Sequence, residues 1–296
     1  MHGNKAGLTL GVEHTMLIAQ ISDTHVQLPG GLLDRNYDTA GNLERAVRHL
    51  NALTPQLDVV LLTGDTVDAG SPSEYGRLRE ILSALKAPLY VIPGNHDERQ
   101  AMRSAFSDGR YLPHEGFLQY TVEDWPVRLI GLDTLIPGEH GGRLCETRMQ
   151  WLAARLLEAP ARPTVIFMHH PPFRTGLTVM DAMGFGGADA LARLVRSHRQ
   201  VRQLVCGHIH RPIVTSFGGT IASVCPSTAQ QAALDLRPDL YLAVVMEPPA
   251  ATVLWWDAAS DSIVHHLSQI GERPAHVLFD GTQWLLDTPV PPGFRA

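Results

Sequence analysis

A chain of 296 residues, 44% hydrophobic and 18% charged, has the make-up of a folded globular protein and excludes intrinsic disorder. A formal net charge of -6 without runs of Lys or Arg excludes the electrostatic footprint of a duplex nucleic-acid binder. No stretch approaches the roughly 20 apolar residues of a membrane span, so no membrane partner is expected.

Met1 to His14 lack the apolar core of a signal peptide, so residues 1–15 are expected to form a flexible extension. Short apolar runs of strand length then alternate with helical patterns. Met16–Ile21 reads as a strand, and Leu43, Ala46, Val47, Leu50 and Leu53 repeat at helical spacing after it. Asp58–Leu62 is the next strand. Tyr75, Leu78, Ile81, Leu82 and Leu85 follow on a helix that Ser73 before Glu74 would open. Leu89–Ile92, Val127–Leu132, Thr164–Met168 and Gln203–Cys206 continue the strands. Between them, Glu146 opens a helix through Trp151 and Leu152, and Leu191, Leu194 and Val195 mark another. This rhythm predicts an α/β fold with buried strands covered by helices.

After His210 the pattern becomes β-rich. Ile213–Val224 carries Gly218-Gly219 at its middle as a hairpin turn. Tyr241–Met246, Thr252–Trp256 and Ile263–His266 read as further strands. The expected division is one catalytic domain over 16–270 and a tail or dimer arm over 271–296, rich in Pro289, Pro291 and Pro292. Cys145, Cys206 and Cys225 share no CxxC spacing, so inert thiols in a reducing cytoplasm are expected.

Five polar clusters sit just after predicted strands: Asp23-Thr24-His25, Gly64-Asp65, Gly94-Asn95-His96-Asp97, His169-His170-Pro171 and Gly207-His208-Ile209-His210. Ligands in α/β sheets bind outside the carboxyl ends of the strands, so the five clusters should converge on one rim. The glycines before Asp65, Asn95 and His208 are expected to let the chain turn sharply there. Imidazole, carboxylate and amide oxygen suit Fe, Mn, Zn or Co, and the absence of thiolate argues against a structural zinc site. Two such ions sharing a carboxylate can clamp a phosphoryl group and generate hydroxide near neutral pH, without a protein nucleophile.

The order DxH, GD, GNHD, H and GHxH resembles that of the calcineurin-like metallophosphoesterases. "ISDTH", "PLYVIPGNHD", "FMHHPP" and "CGHIH" are similar to the branch of bacterial glycerophosphodiesterases and class III cyclic-nucleotide phosphodiesterases. The resemblance spans about residues 16 to 230. It implies a four-layer αββα sandwich of two mixed β-sheets flanked by helices. It also implies two divalent metal ions, the first held by Asp23, His25 and His210, the second by Asn95, His169 and His208, with Asp65 bridging them. His96 matches the family histidine that contacts the phosphoryl group, and His170 would face away from the metals or support them. Asp68 and Asp97 are expected to bond loops or orient a ligand. The implied activity is hydrolysis of a small phosphodiester, by a homodimer through the C-terminal strands. A phosphomonoesterase is the alternative, and a metal-free interaction scaffold a more distant one. The Met- and Gly-rich segment Arg174–Ala188 is a candidate wall of the substrate pocket.

Overall fold

The computed structural model describes residues 15–272, 275–286 and 289. The expected extension over 1–15 therefore lies outside the described residues apart from Thr15, as does most of the tail beyond Leu286. The chain begins with β1 (Met16–Ile21), α1 (Leu32–Tyr37), α2 (Thr39–Ala52), β2 (Val59–Thr63), α3 (Pro72–Leu82), β3 (Leu89–Ile92) and α4 (Arg99–Ala105). It continues through β4 (Tyr120–Val122), β5 (Arg128–Leu132), β6 (Gly142–Arg143), α5 (Glu146–Glu158), β7 (Thr164–Met168), α6 (Thr178–Met183) and β8 (Phe185–Gly186). Then come α7 (Ala188–Ser197), β9 (Val201–Cys206), β10 (Ile213–Phe217), β11 (Thr220–Val224), β12 (Gln231–Ala232) and β13 (Val244–Val245). The long pair β14 (Ala250–Asp257) and β15 (Ser262–Gln269) follows.

Two mixed sheets form the body. The first has the order β15-β14-β1-β2-β3, the second β10-β11-β9-β7-β5-β4. β1, β2 and β3 are parallel, as are β5, β7, β9 and β11. The period of two along each strand then sorts the side chains. In the second sheet, Leu129, Val165, Phe167 and Val205 point into one cluster with the first sheet's Val60, Leu62 and Ile92. Their neighbours Ile130, Ile166, Met168 and Leu204 point the other way, onto Leu152 and Leu156 of α5 and Leu191 and Val195 of α7. Helices α2 and α3 place Leu43, Leu50, Tyr75 and Leu78 on the first sheet. Helix, sheet, sheet and helix are the expected four layers.

The boundaries differ in instructive places. Helix α3 is capped by Ser71 rather than Ser73: its side chain accepts from Glu74 N–H, the Glu74 carboxylate reaches back, and Pro72 fills the first helical position. The predicted strand Tyr241–Met246 shrinks to Val244–Val245, paired with Gln231–Ala232. Tyr241, Leu242, Val244 and Met246 are exposed, so no sheet face supports a longer strand. The Gly218-Gly219 hairpin is formed, with φ of 60° and 90°, which matches the twist of the flanking strands. The late strands extend the first sheet, because β14 pairs antiparallel with Met16 to Gln20 of β1.

Candidate metal centre

Strands β1, β2, β3, β7 and β9 deliver the five polar clusters to one rim. The turns themselves are made largely by the candidate ligands. Asp23, His25, Asp65, His208 and His210 adopt positive φ of 53°, 41°, 46°, 72° and 52°. Such backbone is costly for residues with a Cβ and gathers at functional sites, where surrounding structure holds it in place. The glycines act differently from expectation in two of three places. Gly64 does turn, at φ 88°. Gly94 and Gly207 instead permit close approach: a Cβ would lie 2.2 Å from Asp65 Oδ1 at the first and 2.0 Å from Ser22 Oγ at the second.

All seven candidate ligands meet. Asp23 Oδ1 lies 3.4 Å from His210 Nε2, which lies 3.0 Å from His25 Nε2. His25 Nε2 is 3.6 Å from Asp65 Oδ2, and the other oxygen of Asp65 is 3.4 Å from His169 Nε2. His169 Nε2 is in turn 3.3 Å from Asn95 Oδ1. The ring of His208 packs edge-on to His169 at 5.1 Å, and its backbone N–H donates to Asp23. Asp65 thus stands between two groups of donors, with one oxygen toward each.

The far side of each imidazole fixes its tautomer. His169 Nδ1 donates to the Thr63 carbonyl at 2.8 Å and His210 Nδ1 to the Gln230 carbonyl at 3.1 Å, which directs both Nε2 atoms at the cluster. Buried His208 Nε2 has no hydrogen-bond partner. An orphaned nitrogen in such a place costs about 1–3 kcal/mol unless a ligand satisfies it. Imidazole nitrogens, carboxylates and an amide oxygen aimed at one space could hold divalent cations, and the ligand atoms of Asp23–His25–His210 and of Asp23–Asp65–His169 lie within 4.8 Å of one another. His170 also lies near His169 and His208, but both its ring nitrogens are engaged, by Thr134 Oγ1 at 2.7 Å and the His140 carbonyl at 3.2 Å.

The charges of the cluster shift one another's protonation. Burial opposes ionisation of Asp65, yet His169 and His25 beside it hold its carboxyl well below the usual range. Burial pulls His169 down, but the Asp65 charge outweighs it and pushes the imidazole up to about 9. Burial, with the neighbouring histidines, keeps His170 and His208 neutral.

Residues outside the ligand set support the rim. Asp97 is buried and accepts from Thr66 N–H at 3.1 Å, Thr66 Oγ1 at 2.5 Å, Gly94 N–H at 2.9 Å and Tyr75 Oη at 2.7 Å, tying the Asp65 loop to the Asn95 loop. Asp68 lies 3.3 Å from His25 Nδ1 and 3.3 Å from His96 Nδ1. His96 Nδ1 also donates to the Asp68 carbonyl at 2.8 Å. Burial would lower His96, but its bond to Asp68 and the Asp65 charge prevail and push it up to about 10. Cys206 is fully buried and its thiol is pushed up by burial, as a core thiol should be.

Beside the cluster lies a cavity of about 250 Å³, lined by His25, Asp65, Asn95, His96, His208 and His210 on its polar side. Met180, Met183, Leu242 and Val244 form an apolar wall, and His140, Gln230 and Gln231 complete it. Met180 falls in the segment anticipated as a wall. Thr134, His140 and Gln230 carry no motif, and nothing in their local sequence distinguishes them.

The profile of the calcineurin-like phosphoesterases matches residues 16–212. The chain is 36% identical over 258 residues to a probable glycerophosphodiester phosphodiesterase GpdQ of Arcobacter nitrofigilis, covering 87% of this chain and 94% of that protein. It is 33% identical over 223 residues to the 3',5'-cyclic adenosine monophosphate phosphodiesterase CpdA of Pseudomonas aeruginosa, covering 75% and 80%. A solved dimetal phosphatase from Danio rerio shares the fold, with a TM-score of 0.58 at 15% identity over 86% of this chain and 99% of that one.

Proposed function

The chain belongs to the calcineurin-like phosphoesterases, and from that membership we propose that it is a metal-dependent hydrolase of small phosphodiesters, with two divalent cations per chain. The observation that carries the reading is the position of Asp65, one carboxylate oxygen directed at His25 and the other at His169. In this reading Asp23, His25 and His210 would hold one cation, Asn95, His169 and His208 the other, and Asp65 would be shared between them. Bound there, Fe, Mn, Zn or Co would supply Lewis-acid charge to the phosphoryl oxygens and lower the pKa of a bound water.

The chain's own groups do the rest. Asn95 and the histidines fix where the phosphoryl group sits. His96, held at Nδ1 by Asp68, lines the cavity and would donate a proton to the departing alcohol. The apolar wall would receive the ester substituent. The preference for diesters is supported by the relatives, which carry diesterase names, because a ligand set of this kind suits monoesters as well.

The reading assigns this chemistry to residues 16–270 as one catalytic unit in the cytoplasm, supported by the buried unpaired thiols of Cys206 and Cys225. Among the described residues no helix is long and apolar enough to cross a membrane. A homodimer belongs to the same proposal. Leu234, Leu236, Leu240, Tyr241, Leu242 and Met246 are exposed within one short segment, far more apolar surface than a solvated loop needs.

The test compares kcat/KM of Mn²⁺-loaded protein for bis(p-nitrophenyl) phosphate and p-nitrophenyl phosphate, with Asn95→Ala as control. A diester preference abolished in the variant supports the proposal. A monoester preference reassigns the protein as a phosphatase on the same site.

A further inference from the structure

A second groove, of about 800 Å³, lies at the opposite end of β9 from the metal cluster. Val201 at its edge is five residues from Cys206, roughly 17 Å at about 3.3 Å per residue. Three elements meet there: the end of α7 with the turn after it, the Gly218-Gly219 hairpin, and the turn between β14 and β15. The charge is unusual for an acidic chain. From Ala190 to Leu234 the sequence has no Asp or Glu but carries Arg193, Arg196, Arg199, Arg202 and Arg211.

Arg196, His198, Arg199 and Arg202 line the groove, and Asp261 is the one carboxylate among the lining residues. Asp261 is already paired with Arg202, which also donates to the Arg199 carbonyl at 3.1 Å. The Nε of Arg202 is buried and has no partner. The guanidiniums of Arg196 and Arg199 are exposed and meet no carboxylate within the groove. Arg196 sits in the last turn of α7, where a cation favours the helix dipole. Arg199 and Arg202 lie beyond the helix, so that effect does not account for them. The remaining walls include Val195, Ile221 and Ile263, which offer apolar surface beside the positive charge.

We propose that this groove binds a phosphomonoester, its phosphate held by Arg196 and Arg199 and its organic body laid against the apolar wall. Guanidinium forks match phosphate oxygens in pairs. The groove is of the size that takes a small organic ligand. A single phosphomonoester group balances the two uncompensated arginines.

The experiment is equilibrium dialysis of radiolabelled adenosine 5'-monophosphate against the metal-loaded full chain and its Arg196→Ala/Arg199→Ala variant. Wild type should bind one more equivalent per chain than the variant, whatever the metal cluster binds in both. Turnover of bis(p-nitrophenyl) phosphate should be the same in the two proteins, which shows that the variant is folded. Equal stoichiometry overturns the proposal. So does co-sedimentation with phosphatidylglycerol vesicles that is lost in the variant without a second nucleotide equivalent, since the phosphate would then be a lipid headgroup.

Discussion

His25 and His210 point their Nε2 atoms at each other across 3.0 Å, while their Nδ1 atoms face the Asp68 carboxylate and the Gln230 carbonyl. Protons held at both Nδ1 leave two lone pairs opposed, with Asp23 and Asp65 close behind. Such an arrangement is repulsive until a cation enters it. Chelation is therefore expected to lower Tm, and each cation restored at about 100 times its Kd should return about 2.7 kcal/mol. Differential scanning calorimetry with and without chelator checks this; an unchanged Tm would count against it.

Proton competition sets the pH dependence of metal loading. In the metal-free protein His169 is pushed up to about 9, so at pH 7 it carries a proton that a metal must displace. Apparent affinity should rise with pH up to about 9 and then level. The same shift gives the metal-free fold a contribution that is full below the unfolded pKa of about 6.5 and lost as pH rises through about 9. Titration calorimetry in buffers of different ionisation enthalpy at pH 7 reads the released proton directly.

Loss of His96 should depend on the leaving group. His96→Ala is expected to lower kcat for alkyl phosphodiesters by about 10²–10⁴, the usual contribution of a general acid. For p-nitrophenolate, which departs without a proton, the loss should be much smaller. Equal losses on both substrates would assign His96 to positioning alone.

His170 is predicted to act on the metals without touching them. His170→Ala removes the ring packed at 4.6 Å against His208 and the bridge from Thr134 to the His140 carbonyl. Metal affinity should fall about 10–100-fold, as for other groups that orient ligands. Metal content after dialysis separates this from a direct effect on turnover.

Burial of the exposed segment around Leu240 should make the protein a dimer. Light scattering should give twice the 32.4 kDa chain mass, and Leu240→Glu should return it to one. A monomeric wild type would remove the homodimer from the account.

Much of the site was legible because its residues lie in short local motifs at strand ends, where Gly64-Asp65 or His208-Ile209-His210 declare themselves in sequence. The α/β rhythm was legible from apolar strands such as Thr164–Met168 alternating with helical spacings, whereas the four layers followed from the family resemblance. Other parts depend on long-range contacts that no local pattern encodes. Tyr75 reaches Asp97 from another element, and His170 is held by Thr134 from the segment that follows β5. The pairing of β14 with β1 joins residues more than 200 positions apart. The segment around Tyr241 has strand-like composition but no face to cover, and tertiary context overrode it.

The central claim is tested most directly by adding Mn²⁺ stepwise to chelated protein while following hydrolysis of bis(p-nitrophenyl) phosphate. The account predicts no turnover without metal, a plateau at two equivalents per chain, and loss of the active plateau in Asp65→Asn. Turnover by metal-free protein, or full activity at one equivalent, would contradict it.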